Sequence, residues 1–590
     1  MEPRLHISPC PPRAAERLQL ELGVSNALAQ VLVRRELAEP QLAAAFLAAG
    51  EEHPPDAFRG ISQAIALIRS HVRDGERITI HGDYDVDGIC STAVLVRALR
   101  RLGANVGFYL PDRAADGYGL NADTVRRLAA AGTRLLVTVD CGVTAVAEVA
   151  LAQELGVDVI VSDHHAARVD GALPRAPLVH PALCGYPFAG LCATAVAFKL
   201  AQGIWRATGR DERELEEDLD LVALATVADV VPLVGENRTL VRCGLRALAR
   251  TRKPGLRALM AAARIDASRP DERALAFALA PRLNAAGRLH RADAGLELIL
   301  TESPQRAREV AEELDRANRE RRLIETRIRY AAEAQIAELG QRAAYVLASP
   351  GWHAGVIGIV ASRLSERHHR PVVLIALGEH RGKGSGRSIA GFDLLAGLSA
   401  CDAHLLRYGG HSAAAGIEID SARVQGFATA LCEHAERTLA SQDMVPVERV
   451  DAVVEGGELG MALAEELQQM APFGHGNPRV SLLIADAVFR DCRPMGEGKH
   501  VRFTVESRGA RSRAVAFSNG GRLPVEAGAA VEATFTLEIN EWAGVSEPRL
   551  VLRHARPCRA SQPVPVRRER TQAPSRSSAP REQIALFATP

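Results

Sequence analysis

The sequence predicts an α/β fold built around a parallel sheet. Short, almost continuously apolar runs at Val106–Leu110, Leu135–Val139 and Val157–Val161 alternate with stretches of helical period. Continuous apolar strands joined by helices are typical of a parallel sheet that is covered on both faces. Polar and charged residues follow two of these runs, and ligands bind beyond the carboxyl ends of strands in such sheets. We therefore expect the functional site at that edge of the sheet.

Helices are predicted before the first strand and between the later ones. The helix before the third apolar run is typical in length for a connection between parallel strands, and another ends at Gly103, a residue that commonly terminates helices. The predicted helices cover Phe58–Arg73, Ser91–Leu102, Ala122–Ala131 and Val143–Leu155.

The first strand and the segment after it carry the densest set of candidate ligands. The apolar triplet at 78–80 runs into one imidazole and three carboxylates at alternate positions: His81, Asp83, Asp85 and Asp87. Extended backbone would place these side chains on one side, where they repel one another unless a cation lies between them. A solvated acidic turn is the ordinary alternative. A calcium loop is excluded because the twelfth position, which requires glutamate, is Val94.

Two later strands also end in candidate ligands. Asp140 follows the run at 135–139, and Asp163-His164-His165 closely follows the run at 157–161. A single aspartate after a strand is commonly a helix cap. Three strand ends that deliver carboxylates and imidazoles to one edge indicate a metal site instead. Asp229 interrupts an apolar segment, and the residues leave open whether it is a cap, a buried hydrogen-bonded group or a ligand.

Length and composition describe a soluble protein of several domains. The chain has 590 residues, which predicts about two to four domains. Its net charge of +1 means that nucleic-acid binding would require a local basic groove. The ten cysteines contain no C-x-x-C pair, which argues against a zinc module and fits a reducing cytosol. We expect no signal peptide and no membrane span, and hence a cytoplasmic protein.

The order of these motifs resembles the DHH phosphoesterase superfamily. The triplet at 163–165 is similar to its name-giving motif, and the segments at 81–88, 139–142 and 226–229 resemble three others. The segments 281–288 and 351–364 are similar to the RecJ exonuclease branch of this superfamily. The segments 384–389 and 409–416 resemble its DHHA1 domain. The resemblance therefore covers residues from about 80 to 420.

The resemblance implies a catalytic centre with two divalent cations. One ion would be bound by His81, Asp85 and Asp140, and the second by Asp87, Asp140, His164 and Asp229, so that Asp140 bridges them. Mixed imidazole and carboxylate ligands favour Mn²⁺ over Mg²⁺. Asp83 is expected either to bind an ion or to support the ligands. His165 is expected to contact the scissile phosphate or to assist the leaving group.

Substrate-binding residues are expected in the basic and glycine-rich segments further along the chain. Loops at 382–387 and 409–410 would present backbone N–H groups to a phosphate, although such loops are commonly plain turns. The resemblance implies that His353 and His411 face the metal cleft from the opposite wall. It also implies a set of anchors for a 5′-phosphate or the strand backbone: Arg113, Arg282, Asn284, Arg288, Ser385 and Arg387.

Pattern and resemblance together divide the chain into six segments. Short strands in the last third predict a small β-barrel, which the resemblance specifies as an OB-fold, and its aromatic residues Phe503, Phe517 and Trp542 are more often core than base-stacking groups. The expected segments are a helical lead-in (1–55), the parallel-sheet DHH catalytic domain (56–300), a connector helix (301–342), a smaller α/β DHHA1 domain (343–440), the OB-fold (446–557) and a disordered tail (558–590).

The implied function is a single-strand-specific 5′→3′ DNA exonuclease that releases 5′-mononucleotides in repair and recombination. A nano-RNA or dinucleotide phosphodiesterase would lack the β-rich segment, and a non-catalytic replisome scaffold would have lost ligands. The polarity is implied by the resemblance alone. The end of the tail, Gln583–Phe587, resembles a motif that binds the bacterial β sliding clamp. A single-strand-binding protein and a RecQ-type helicase are further expected partners.

Overall fold

The computed structural model describes residues 3–112, 119–289, 293–440, 444–542 and 544–558. The predicted tail from 559 onward and Arg113 lie outside these residues. Among the described helices, none combines the length and apolar character needed to cross a membrane.

A five-stranded, fully parallel sheet forms the centre of the first large domain, as predicted. Its order is β3-β2-β4-β5-β6, so the strands that carry the candidate ligands lie side by side. Strand β1 belongs to another sheet described below. The strands are β1 (Arg4–Ile7), β2 (Ile78–His81), β3 (Val106–Tyr109), β4 (Leu135–Val139), β5 (Asp158–Ser162) and β6 (Leu178–Val179).

Helices cover this sheet and extend the domain beyond it. α5 and α8 are buried along most of their length and pack against each other, and Trp205 is the largest fully buried side chain. The helices up to the connector are α1 (Pro12–Leu22), α2 (Asn26–Arg34), α3 (Pro40–Ala48), α4 (Ile61–Arg73), α5 (Val86–Arg101), α6 (Ala122–Ala130), α7 (Val146–Glu154), α8 (Ala193–Ala207), α9 (Leu219–Ala228), α10 (Gly235–Ala249), α11 (Pro254–Ala262), α12 (Glu272–Ala274), α13 (Ala280–Leu289) and α14 (Asp293–Leu300).

The segment after β2 differs from the sequence expectation. Extended backbone was predicted through Asp87, whereas β2 ends at His81 and α5 begins at Val86. Asp85 caps this helix, because its side chain accepts hydrogen bonds from the N–H groups of Asp87 and Gly88. Asp87 therefore reaches the site from the first turn of a helix. The strand periodicity that was used to group the four ligands does not extend past the strand.

A long helix, α15 (Pro304–Leu339), leads to the second domain. One face of this charge-rich helix is buried, with Val310, Leu314 and Ile328 among its core residues. The second domain has a mixed sheet of order β10-β11-β9-β8-β7. Its elements are β7 (Tyr345–Pro350), α16 (Ala354–His368), β8 (Val372–Leu377), β9 (Arg381–Arg387), α17 (Leu394–Ala400), β10 (Leu405–Gly410), β11 (Ala414–Asp420) and α18 (Val424–Thr438).

The C-terminal region is a closed five-stranded barrel, as predicted. Strand β14 pairs with both β15 and β17, which closes the order β14-β15-β16-β18-β17. Phe503 belongs to the barrel core, whereas Phe517 is exposed. The elements are β12 (Val447–Val450), β13 (Ala452–Val453), α19 (Met461–Gln468), β14 (Leu482–Met495), β15 (His500–Ser507), β16 (Ala510–Ala516), β17 (Ala530–Trp542) and β18 (Val545–Pro557).

The N-terminal segment packs on the barrel region and is not purely helical. Strand β1 pairs in parallel with β12, and α1 and α2 share a hydrophobic core with the barrel. The fully buried Arg238 of α10 joins the two regions, since its guanidinium donates to the carbonyl oxygens of Phe46, Gln469 and Met470. The barrel is thus held against the first domain.

Candidate metal centre

The candidate ligands converge at the carboxyl edge of the parallel sheet. They come from the loop after β2, the first turn of α5, the ends of β4 and β5, and the C-terminus of α9. Three groups have ligand atoms within 4.8 Å of one another. These groups are Asp83–Asp85–Asp140, Asp87–His164–Asp229 and Asp140–His164–His165.

His164 lies at the middle of the acidic cluster. Its Nε2 is 3.3 Å from Asp140 Oδ1 and 3.8 Å from oxygens of Asp87 and Asp229, and it is buried without a hydrogen-bond partner among the described residues. Burial lowers the pKa of His164, which keeps the imidazole neutral and its nitrogen able to bind a metal. A buried, neutral imidazole among three carboxylates fits a divalent cation.

The carboxylates are electrostatically unfavourable to one another when no cation is bound. Burial, followed by the charges of Asp87 and Asp85, raises the pKa of Asp229 to about 8. The same causes raise the pKa of Asp140 well above its usual range, and burial and Asp87 raise that of Asp85. A divalent cation supplies the charge that would otherwise come from protons.

Asp87 is held by the N-terminus of a second helix. Both of its oxygens accept backbone N–H groups at the start of α8, from Ala193 at 2.8 Å and Thr194 at 2.8 Å. The Thr194 hydroxyl donates to Asp87 Oδ1 at 2.6 Å. The positive end of the helix dipole favours the charged carboxylate. Thr194 was not identified from the sequence, because nothing local to residue 194 indicates a partner 107 positions away.

Asp163 organises the turn that carries the two histidines. Its Oδ1 accepts from the backbone N–H groups of His164 and His165 and lies 2.8 Å from His165 Nδ1, while Oδ2 accepts from Val143 N–H. Burial would lower the pKa of His165, but the hydrogen bond and charge of Asp163 outweigh burial and raise it. His165 therefore holds a proton more firmly than an ordinary histidine. Asp163 belongs to the triplet that resembles the DHH motif, but the sequence does not predict this organising role for it.

His81 and Asp83 differ in their relation to the cluster. Asp83 joins Asp85 and Asp140, whereas His81 is not a member of the three groups. His81 is fully buried, with Nδ1 3.6 Å from the sulfur of Cys141. The sequence left open whether Asp83 binds an ion or supports the ligands. In the structure Asp83 lies as close to other candidate ligands as a metal ligand requires, whereas His81 does not belong to such a group.

A cavity of about 680 Å³ lies between the first and second domains, beside α13. Arg288, His353, Ser385 and Arg387 line it, as expected for residues that bind one substrate. Arg288 donates to the Gly355 carbonyl oxygen, and Arg387 donates to Ser385 Oγ at 3.1 Å. His353 caps α16 by accepting from Gly355 N–H through Nδ1.

The glycine-rich segment at 382–387 is a strand and not a loop, which corrects the expectation. It forms β9, whose backbone pairs with β8 and β11. A Cβ on Gly382, Gly384 or Gly386 would lie within 3 Å of core side chains. The glycines therefore face the core, and the alternate residues Lys383, Ser385 and Arg387 face the cavity. Side chains, and not backbone N–H groups, form this wall. The second predicted loop, at 409–410, is likewise the end of strand β10.

The other predicted substrate residues are placed differently. Arg282 makes an ion pair with Asp315 at 3.0 Å and donates to the Ala278 carbonyl oxygen. Its guanidinium therefore links α13 to α15. Asn284 Oδ1 accepts from the Val86 N–H and thereby fixes the ligand loop, which is the segment Asp83–Asp85 between β2 and α5. His411 is exposed after β10 and does not line the cavity. Arg113 lies outside the described residues, although the neighbouring Asp112 lines the cavity.

Comparison with known proteins agrees with this architecture. The chain matches the DHH family, N-terminal domain, over residues 77–226, the DHHA1 domain over 340–439 and the RecJ OB domain over 450–554. It is 37% identical over 547 residues to the single-stranded-DNA-specific exonuclease RecJ of Bacillus subtilis, covering 91% of this chain and 68% of that protein. The Dickeya dadantii RecJ is 38% identical, with 84% and 90% covered. The chain belongs to the RecJ family.

A solved RecJ structure supports the same conclusion and bears on the metal. The crystal structure of Thermus thermophilus RecJ in complex with Mn²⁺ matches with a TM-score of 0.83 and 33% identity, over 94% of this chain and 80% of that chain. The Mg²⁺ complex of the same protein matches with a TM-score of 0.77. Membership of the RecJ family confirms the predicted fold. The Thermus protein is solved with Mn²⁺ and with Mg²⁺, which are the two metals predicted here, and this chain offers groups that can hold such an ion.

Proposed function

We propose that this protein is a metal-dependent exonuclease that hydrolyses single-stranded DNA from its 5′ end. The observation that carries the proposal is the position of α13 between the metal centre and the cavity. Asn284 contacts the ligand loop, and Arg288, four residues or about 6 Å further along the helix, lines the cavity. A phosphate bound in the cavity would place the next phosphodiester close to the ligands. The Bacillus subtilis and Dickeya dadantii relatives are single-stranded-DNA-specific exonucleases, which supports single-stranded DNA as the substrate.

Each part of the site has a distinct role in this proposal. Bound divalent cations would neutralise charge on the phosphate oxygens and activate water near neutral pH. Asp87, His164 and Asp229 would hold one ion and Asp85, Asp140 and His81 or Asp83 the other, with Asp140 shared.

The remaining groups would act on the DNA. His165, whose pKa is raised by Asp163, would donate a proton or hydrogen bond to a phosphate or leaving-group oxygen. Arg288, Ser385 and Arg387 would bind the terminal phosphate. His353, on the same wall, would face the terminal nucleotide.

The test is hydrolysis of single-stranded DNA that carries a label at either the 5′ or the 3′ end, with and without Mn²⁺. We expect Mn²⁺-dependent release of mononucleotides that begins at the 5′ end, and no release from a blunt duplex. Release from the 3′ end alone would refute the polarity. The Asp140→Ala variant should lose hydrolysis while it keeps the circular dichroism spectrum of the parent, and hydrolysis that survives in excess Mn²⁺ would refute the shared-ligand role.

The two alternatives make different predictions. A nano-RNA or dinucleotide phosphodiesterase would prefer very short oligonucleotides, which are too short to reach from the metal centre to the barrel. A scaffold would bind single strands without cleaving them. The RecJ OB domain, together with the clustering of every predicted metal ligand except His81, favours the exonuclease.

We also propose that residues Gln583–Phe587 dock on the β sliding clamp in the cytoplasm, as their sequence suggests. Deletion of these residues should abolish clamp binding in surface plasmon resonance and leave hydrolysis of free oligonucleotides unchanged. Unchanged clamp binding would refute this role. A single-strand-binding protein and a RecQ-type helicase remain proposed partners.

A further inference from the structure

A cavity of about 960 Å³ opens on the first domain at a distance from the metal centre. It lies between α10 and the segment that joins α8 to α9, and the start of α11 closes one end. Leu219, the first residue of α9, lines this α10 cavity, whereas Asp229 follows the last residue of the same helix. That helix is about 15 Å long, and no candidate metal ligand lines the cavity. The α10 cavity is therefore separate from the metal centre, and it shares no residue with the cavity between the two domains.

Two polar groups in the wall of this cavity are buried without a hydrogen-bond partner among the described residues. One is the hydroxyl of Thr239 on α10, a residue that is only 9% exposed, and the other is Oε1 of Gln202 on α8. Unpaired buried polar groups are costly and therefore rare in folded proteins. The amide oxygen requires a donor, and the hydroxyl can donate or accept. A ligand in the cavity would supply the missing hydrogen bonds.

Positive charge lies further along the same face of α10. Arg246 and Arg250 follow Thr239 at helical spacing, and Arg252 lies just before α11 at the closed end. These three arginines line the cavity and are exposed, and no carboxylate of the described residues forms an ion pair with them. The Arg246 guanidinium donates to Cys243 Sγ at 3.0 Å, which places it against the cavity wall. Unpaired guanidinium groups in one cavity suit a phosphate, whose oxygens accept paired hydrogen bonds from arginine.

The other charges of the cavity indicate that its ligand is more than a bare anion. Glu216 and Glu302 also line the cavity, and neither forms an ion pair within the described part of the chain. Their carboxylates would repel a bare phosphate but can accept hydrogen bonds from hydroxyl or amino groups. The remaining charged side chains of the wall are in ion pairs, such as Lys253 with Asp218 and Asp220. The ligand that suits this wall therefore carries a phosphate together with several hydrogen-bond donors.

We propose that the α10 cavity binds a nucleoside monophosphate, with its base against Thr239 and Gln202 and its phosphate on Arg246 and Arg250. Arg246 follows Thr239 by seven positions, which is about 10 Å along the helix axis. An extended nucleoside monophosphate spans a comparable distance between its base and its phosphate. The N–H groups of the base supply the donor that Gln202 lacks. This site goes beyond the proposed function: hydrolysis of DNA would release ligands of this class, but binding them here requires neither metal nor catalysis.

The test is isothermal titration calorimetry of the intact protein in EDTA, with dAMP and with inorganic phosphate as ligands. We expect dAMP to bind more tightly than phosphate. Arg246→Gln should weaken dAMP binding about 10- to 150-fold, because it removes a charged hydrogen-bond donor. Arg257→Gln is the matched control, since Arg257 is also exposed and without an ion pair in the described chain but lies on α11 outside the cavity. The titrations are repeated with Arg387→Ala, because the cavity between the two domains would also bind a phosphate.

Thr239→Val removes the unpaired hydroxyl and keeps the shape of the side chain. The Tm of the free variant should not fall, because the hydroxyl bonds to no described residue, whereas the rise in Tm caused by dAMP should become smaller. The site is refuted if Arg246→Gln binds dAMP as tightly as Arg257→Gln, if phosphate binds as tightly as dAMP, or if Arg387→Ala abolishes dAMP binding. A protein that binds dAMP as expected but does not hydrolyse DNA would refute the proposed function and leave the nucleotide site intact.

Discussion

Replacing Thr194 with valine tests whether the N-terminus of α8 controls the metal centre. The buried Thr194 hydroxyl donates to Asp87 Oδ1 at 2.6 Å, and valine has the same shape without the donor. A hydrogen bond to a charged group contributes about 1.5–3 kcal/mol, which corresponds to about 10- to 150-fold in a binding constant. Loss of a partner to a metal ligand commonly weakens metal binding about 10- to 100-fold. We expect the Kd for Mn²⁺ to rise by about that factor.

The assay is a titration of the metal-free protein with Mn²⁺, in which electron paramagnetic resonance measures the concentration of free Mn²⁺ at each step. Saturating Mn²⁺ should restore most of kcat, because Asp87 itself is retained. The control is Thr133→Val, which removes a buried hydroxyl that bonds to the neutral Thr79 at 2.8 Å. If Thr194→Val changes the Kd no more than Thr133→Val does, the helix terminus does not position Asp87 for the metal.

Three further predictions concern charge and packing. Because the pKa of Asp229 is about 8 in the folded, metal-free protein, the free energy of unfolding should fall as pH rises from about 4 to 8. Mn²⁺ should therefore raise Tm more at pH 8 than at pH 6, and an equal rise at both pH values would contradict this prediction. Asp163→Asn should lower the pKa of His165 in NMR titration and shift the basic limb of the kcat profile to lower pH. An unchanged His165 pKa in the folded variant would show that Asp163 acts only on the fold. Arg238→Met should reduce the free energy of unfolding by about 3 kcal/mol in urea titration, since it leaves the carbonyl oxygens of Phe46, Gln469 and Met470 without their donor. A change under about 1 kcal/mol would show that these hydrogen bonds are not needed to hold the barrel on the first domain.

Much of the metal centre could be predicted from the sequence because its ligands follow local landmarks. Asp140 comes directly after a continuous apolar run and His164 follows closely after another, and parallel strands place such ends at one edge. The same reasoning failed between Asp83 and Asp87. A periodicity of two cannot reveal that the backbone turns into a helix at Val86, since the change depends on the capping by Asp85 and on Asn284, 198 residues away.

The substrate wall illustrates the opposite case. The alternation of glycines with Lys383, Ser385 and Arg387 was visible, but it was interpreted as a loop, because glycine commonly marks turns. Packing decided otherwise, since only glycine leaves room for Ile375 and Ile417 beneath β9. The resemblance implies that Arg282 contacts DNA, and in the structure Arg282 makes an ion pair with Asp315.

The sequence by itself determined which chemistry is available: a set of carboxylates and imidazoles at strand ends, in the order typical of one superfamily. Only the tertiary structure decided how the side chains that carry this chemistry are held in place. Thr194, which donates to Asp87, and Asn284, which accepts from the Val86 N–H, come from segments distant along the chain. Hydrogen bonds and close packing act over a few ångströms in space, and no short-range pattern encodes which distant residues will be brought that close.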